Sequence, residues 1–115
     1  MENITLNLVN IIGDIYGVES EDGQKVFEMI KKTFDDHKKV VVSFQNIEIL
    51  TTAFLNTAIG QLYKDYDEVF IKENLSVSNI SNSGKVALKR VVNTAKQYYK
   101  DPEAMQRSIN EILGD

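Results

Sequence analysis

A short apolar stretch followed closely by an amphipathic helix is the feature that most constrains this chain. Residues 40–44, VVVSF, form a near-continuous run of mostly β-branched residues, which is typical of a strand buried on both faces. After the connecting residues 45–50, apolar residues from Phe54 to Tyr66 recur at the spacing of one helical face. A buried strand followed by a helix predicts a parallel or mixed sheet with helices packed on it.

The rest of the chain follows the same alternation. Strands are predicted at residues 3–12, where Ile4, Leu6 and Leu8 alternate with polar residues, briefly at 15–18, and at 68–75. Further amphipathic helices are predicted within 20–39, 81–100 and 101–114. We therefore expect a single α/β domain over residues 1–115, with a mixed, mostly parallel sheet of about four strands and about four helices.

Composition excludes several classes of site and predicts where the chain resides. It contains no cysteine, which rules out disulfides and thiolate metal sites, and no spacing of metal ligands is present. The N-terminal residues MENITLNLVN do not resemble a signal peptide. The apolar runs are far shorter than the ~20 residues needed to cross a bilayer. We expect a cytoplasmic protein that uses no cofactor, metal or membrane.

Signals of catalysis are weak. The single histidine, His37, lies at the C-terminal end of a predicted helix, where the helix dipole favours a solvated cation. No nucleophile and base occur in a recognisable context. The acidic pairs Glu21–Asp22 and Asp35–Asp36 are sequence neighbours, which point in different directions on a helix and do not form a carboxylate pair. The sequence therefore predicts that the chain is not an enzyme.

A basic stretch raises the alternative of nucleic-acid binding. Between residues 74 and 100 there are basic residues and no acidic ones. Lys85, Lys89, Lys96 and Lys100 fall close to one helical face and could contact phosphates. The chain as a whole has a net charge of −4, and no aromatic residue lies within this basic face. We favour the interpretation that these lysines form the solvated polar face of an amphipathic helix. A docking surface for an acidic protein is intermediate between this interpretation and nucleic-acid binding.

Three stretches resemble a known family. They are SEDGQKVFEMI at residues 20–30, VVVSFQNIEILTTAFLNTAIGQLY at 40–63 and LKRVVNTAKQYY at 88–99. Together they are similar to the STAS-like family, relatives of sulfate-transporter and anti-sigma-factor-antagonist domains. The resemblance implies a small α/β layer with helices on one side of the sheet. It also implies a non-catalytic signalling module that docks on a histidine-kinase-like ATPase.

The resemblance also points to a surface. In the better-understood relatives, the kinase phosphorylates a serine at the N-terminus of the helix after the central strand, which releases the partner. Ala53 occupies that position here, preceded by Thr51 and Thr52, so we expect the phospho-switch to be lost or moved to Thr52. The expected partner-binding residues cluster at the start of this helix and at the neighbouring first helix: Thr51, Thr52, Ala53, Phe54, Asn56, Asp22 and Gly23.

Alternatives remain open at this stage. Thr51 or Thr52 could act only as the helix cap, which contributes ~1 kcal/mol to stability. The same helix N-terminus could hold a small anion or a nucleotide phosphate through its backbone N–H groups, which would make the chain a ligand sensor. Apolar residues that the core does not need, such as Tyr98 and Tyr99, could form a contact between copies of the chain, so a homo-oligomer is a further alternative.

Overall fold

The computed structural model describes residues 3–100, with Lys100 described by its backbone alone. The helix predicted at 101–114 lies outside the described residues. In chain order the elements are β1 (Asn3–Asn7), α1 (Leu8–Ile12), β2 (Tyr16–Gly17), α2 (Ser20–Asp35), β3 (Lys39–Ser43), β4 (Ile49–Leu50), α3 (Thr52–Leu55), a π-helical turn (Asn56–Gly60), α4 (Leu62–Asp65), α5 (Glu68–Asn74), β5 (Leu75–Ser78) and α6 (Asn82–Lys100). We call α3, the π turn and α4 together the central helix.

The strands form two small parallel sheets. The larger has the order β1-β3-β5, and the smaller pairs β2 with β4. Every strand pairing in residues 3–100 is parallel. The predicted α/β class with a mostly parallel sheet is therefore confirmed. Within those residues, no helix is both long enough and apolar enough to cross a membrane.

The helices cover one face of the larger sheet. Leu6, Val40 and Val42 point into the core and are nearly inaccessible to solvent. The alternate positions point to the other face, where Thr5 and Ser76 are exposed and Val41 between them is half-buried. The expectation that β3 is buried on both faces therefore holds at Ser43, which is 3% exposed, but not at Val41. One-sided covering agrees with the arrangement that the resemblance implies.

Close contacts at two glycines fix the central helix between α2 and α6. A Cβ on Gly23 of α2 would lie 2.7 Å from the carbonyl oxygen of Phe54. On the opposite side, a Cβ on Gly60 would lie 3.3 Å from Cγ1 of Val91 in α6. Only a residue without a side chain allows the backbones to approach this closely at Gly23.

The structure corrects two predicted strands. The strand predicted at 3–12 ends at Asn7, and Leu8–Ile12 is a helix that Gly13 terminates with φ 76° and an N–H bond to the Val9 carbonyl. Residues 68–74 of the strand predicted at 68–75 are helix α5, which Asp67 caps by accepting a hydrogen bond from the Phe70 N–H at 2.8 Å. Strand β5 begins only at Leu75.

The start of α2 has no side-chain cap. Ser20 and Asp22 are of types that often cap helices, but the residue at the cap position is Glu19, which makes no side-chain capping bond. Ser20 and Asp22 lie within the first turn of the helix instead. There the carboxylates of Glu21 and Asp22 interact favourably with the helix dipole.

Candidate functional site

Thr51 is the cap of the central helix and also its link to the smaller sheet. Its Oγ1 accepts a hydrogen bond from the Phe54 N–H at 3.2 Å, which satisfies one of the unpaired donors of the first turn. The same hydroxyl donates to the Val18 carbonyl oxygen at 2.9 Å. The predicted capping role is confirmed for Thr51. Because its hydroxyl proton and oxygen are both in use, Thr51 is held rigidly in place.

The next residues form an exposed surface at the start of the helix. Thr52 and Ala53 are both exposed, and so is Asn56, which follows Thr52 by four residues on the same helical face. In residues 3–100 the hydroxyl of Thr52 makes no hydrogen bond, in contrast to that of Thr51. The structure therefore separates the two adjacent threonines into a structural cap and a solvent-facing hydroxyl.

Phe54 and Gly23 lie beneath this surface. Phe54 is 0% exposed, and its ring lies close to Gly17 of β2, where an added Cβ would approach it to 3.4 Å. Gly23 is buried against the backbone of the central helix. Both residues support the surface from within the core, and their side-chain positions are not available to a partner.

Asp22 lies at the edge of the same region. Its carboxylate is 3.5 Å from the ammonium of Lys25, and its side chain is 20% exposed. The α2 helix carries Asp22 next to Gly23, which is the point where α2 crosses the central helix. Of the predicted partner-binding residues, the structure thus exposes Thr52, Ala53 and Asn56 and leaves Thr51 and Asp22 partly accessible.

Sequence reasoning missed an exposed apolar pair at this end of the molecule. Tyr16 of β2 and Ile49 of β4 are register partners in the smaller sheet, and they are 43% and 51% exposed. Since Ile49 precedes Thr52 by three residues, the pair lies where the chain enters the central helix. We define the helix-start surface as Tyr16, Ile49, Thr52, Ala53 and Asn56.

The lysines of the nucleic-acid interpretation and the single histidine lie elsewhere. Lys85 and Lys89 are exposed on α6, and Lys96 forms an ion pair with Glu68 at 2.9 Å. His37 is exposed after α2, with φ 60°. Among residues 3–100, no group of three or more histidine, aspartate or glutamate side chains is placed to hold a metal ion. None of these features lies at the helix-start surface.

Ionisation is perturbed mainly near the far end of the central helix. Burial raises the pKa of Tyr63. The charges of Lys96 and Glu68 have smaller effects, the first lowering this pKa and the second raising it. Burial likewise raises the pKa of Tyr66, and the hydrogen bond that Lys96 donates to the Glu68 carboxylate raises the pKa of Lys96. These groups lie around α4, α5 and α6.

Comparison with protein families decides the affiliation of the chain. The model of the STAS-like domain of unknown function (DUF4325) matches residues 22–85, which is more than half of the sequence. The chain belongs to this STAS-like family. The match runs from the start of α2 into α6 and includes most of the helix-start surface. Comparison with curated proteins found no match, and comparison with solved structures found none either.

The family agrees with the resemblance noted in the sequence. Its description indicates no catalytic class. STAS-like domains are generally protein-interaction modules, which is compatible with a regulatory protein-binding role.

Proposed function

We propose that this chain is a non-catalytic, cytoplasmic regulatory module that binds another protein through the helix-start surface. The proposed partner is a histidine-kinase-like ATPase, the class on which the related anti-sigma-factor antagonists dock. Membership of the STAS-like family supports the interaction role. The location of the surface rests on the structure of the smaller sheet and of the central helix.

The observation that carries this proposal is the exposed pair formed by Tyr16 and Ile49. Two large apolar side chains at one register position offer a partner an aromatic and an aliphatic anchor, and tyrosine is enriched among residues that dominate binding energy. The flanking Thr52, Ala53 and Asn56 are small or polar and exposed. Apolar anchors together with small and polar residues are a usual composition of an interface.

The same geometry supports a particular form of regulation. Ala53 cannot accept a phosphate, and the hydroxyl of Thr51 is engaged by Phe54 and Val18. Thr52 carries the remaining hydroxyl group at the start of the central helix. This group is exposed and makes no hydrogen bond to residues 3–100. We therefore name Thr52 as the candidate phosphoacceptor if the switch operates. A phosphate there would add ~1.5 to 2 negative charges to the surface and oppose docking.

A quantitative capture experiment tests the proposal. The full-length chain is immobilised and exposed to lysate of its native host, and captured proteins are quantified by mass spectrometry for wild type, Ile49→Asp and Ala53→Asp. Wild type should enrich an ATPase of the histidine-kinase type, and both variants should lose it because a buried carboxylate at an interface is costly. Circular dichroism checks that both variants remain folded.

Val69→Asp provides the matched control. Val69 is an apolar β-branched residue that is 63% exposed on α5, outside the helix-start surface. It should retain the ATPase at the wild-type level. The proposal would be overturned if all four proteins captured the same partners, or if no ATPase of this type were enriched by wild type.

A further inference from the structure

Strand β5 is an edge of the larger sheet within residues 3–100. The Ser78 carbonyl oxygen accepts a hydrogen bond from the Phe44 N–H at 2.9 Å, so Ser78 directs its backbone groups towards the β3 side. Because backbone groups alternate in direction along a strand, those of Val77 point away from β3. Residues 3–100 provide no strand on that side, so within this range the N–H and the carbonyl of Val77 have no strand partner.

An apolar groove lies beside this edge. It has a volume of about 240 Å³ and lies between β5, α5 and α6. Its aliphatic lining comes from all three elements and from the central helix: Ile59, Ile71, Leu75, Val77, Leu88 and Val92. An open strand edge next to a helix, with apolar space between them, is the geometry in which an extended peptide can add as a further strand.

The charged residues at the rim of this groove are mostly lysines. Lys72, Lys96 and one carboxylate, Glu68, line the groove. Lys85 and Lys89 continue the same face of α6 beyond the lining, eleven and seven residues before Lys96 in the chain. Lys96 is paired with Glu68, whereas Lys72, Lys85 and Lys89 form no ion pair with residues 3–100. Lysines without an ion pair to residues 3–100, at and beside an apolar groove, are complementary to an acidic occupant.

We propose that this groove binds an extended acidic segment of another protein by strand addition to β5. Apolar side chains at alternate positions of that segment enter the groove, and its carboxylates contact the lysines of the rim. The backbone groups of Val77 pair with the added strand. The elements that form this groove differ from those that carry the helix-start surface. The inference therefore goes beyond the proposed function and is independent of it.

Nuclear magnetic resonance on the full-length chain tests the inference with two defined peptides. Both peptides have Val-Thr-Val at their centre. The acidic peptide has glutamates at both ends, and the basic peptide has lysines there instead. The acidic peptide should shift the amide signals of residues 75–78 and of Leu88 and Val92, and it should slow hydrogen exchange at the Val77 N–H. The basic peptide should do neither, and added salt should weaken the acidic peptide's affinity.

Charge reversal provides a matched pair of variants. Lys89→Glu should weaken the acidic peptide roughly fivefold, since one rim contact is worth at most about that factor. Lys32→Glu makes the same change of charge at an exposed residue of α2, away from the groove, and should leave the affinity for the acidic peptide unchanged. Absent or equal shifts with the two peptides would overturn the inference, as would equal weakening by both variants. Protection of the Val77 N–H in the free chain would also overturn it, because the edge would then already be covered by another part of the chain or by a second copy.

Discussion

Replacing Thr51 by valine removes two hydrogen bonds while leaving the shape of the side chain almost unchanged. The Phe54 N–H loses its acceptor and the Val18 carbonyl loses its donor. Phe54 is fully buried, so its freed N–H lies near the core of the domain. The β-branched shape of valine suits the extended backbone of this residue, with φ −113° and ψ 157°, so backbone strain does not complicate the comparison.

The expected loss follows from the two bonds. Removing a side-chain cap of a helix costs ~1 kcal/mol. Losing a second hydrogen bond that spans 33 residues of sequence adds ~1 kcal/mol. We expect the free energy of unfolding to fall by about 2 kcal/mol, which corresponds to a decrease of about 8 °C in Tm for a domain of this size.

Urea denaturation of the full-length chain, followed by far-ultraviolet circular dichroism, measures this change. The midpoint should move to lower urea while the m-value stays constant, because the surface exposed on unfolding is unchanged. Thr52→Val is the adjacent control, with the same chemical change at an exposed residue whose hydroxyl is not bonded within residues 3–100. It should alter stability by no more than about 0.5 kcal/mol.

Two results would refute the assignment of these roles. One is an equal loss for the two variants, which would mean that the hydroxyl of Thr51 has no special place in the fold. The other is a loss larger for Thr52→Val, which would make Thr52 the cap. Thr51→Ser retains the hydroxyl and should recover most of the stability that Thr51→Val loses.

Three further predictions concern packing, ionisation and helix charge. Gly23→Ala should lower the free energy of unfolding by ~2 kcal/mol, as measured by urea denaturation. The new Cβ would lie 2.7 Å from the Phe54 carbonyl oxygen and must separate α2 from the central helix. Replacing glycine by alanine inside a helix usually raises the free energy of unfolding by ~1 kcal/mol, and such an increase here would contradict the close approach. Burial raises the pKa of Tyr63 above that of the unfolded chain, so its stabilising contribution is present below pH 10 and is lost as the pH rises through the higher pKa of the folded state. Urea denaturation at pH 9 and above pH 10 should show a smaller loss of stability for Tyr63→Phe than for wild type, and equal losses would refute this. Thr52→Asp should keep the fold and stabilise it by up to ~0.5 kcal/mol at low salt, since a carboxylate in the first turn favours the helix dipole; a clear loss of stability would show that Thr52 is not freely exposed.

The elements with long apolar patterns could be predicted from the sequence. The central helix follows from a stripe that extends from Phe54 to Tyr66, and β3 follows from its β-branched run. The run itself does not reveal which face is covered. Val41 is half-buried on the side opposite the helices, and only the layer arrangement decides that side.

Short elements were harder because strand and helix periods coincide over few residues. Leu8, Ile11 and Ile12 have helical spacing, but Leu8 also continues the alternation of Ile4 and Leu6. In the same way, Val69 and Ile71 alternate like a strand, whereas the structure buries Ile71 and exposes Val69. Asp67 before α5 and Gly13 after α1 are cap signals that favour the helical interpretation in both places.

The candidate site was predictable in its position and less so in its composition. The paired threonines marked the start of the central helix, but nothing local distinguishes the residue that caps from the one that is exposed. That distinction depends on the Val18 carbonyl, 33 residues earlier in the chain. The pair of Tyr16 and Ile49 was missed because β2 and β4 have only two residues each, and their pairing decides which side chains are exposed.

The π turn gives this chain a defined place to change length. Its hydrogen bond from the Gln61 N–H to the Asn56 carbonyl encloses one residue more than an α-helical turn. A chain shorter by one residue between 56 and 60 would form an uninterrupted α-helix, with the buried faces of α3 and α4 still directed to the core. A deletion at any point within β3 would instead reverse the facing of every side chain that follows it in the strand. Natural variation in length within the central helix should therefore concentrate at this turn.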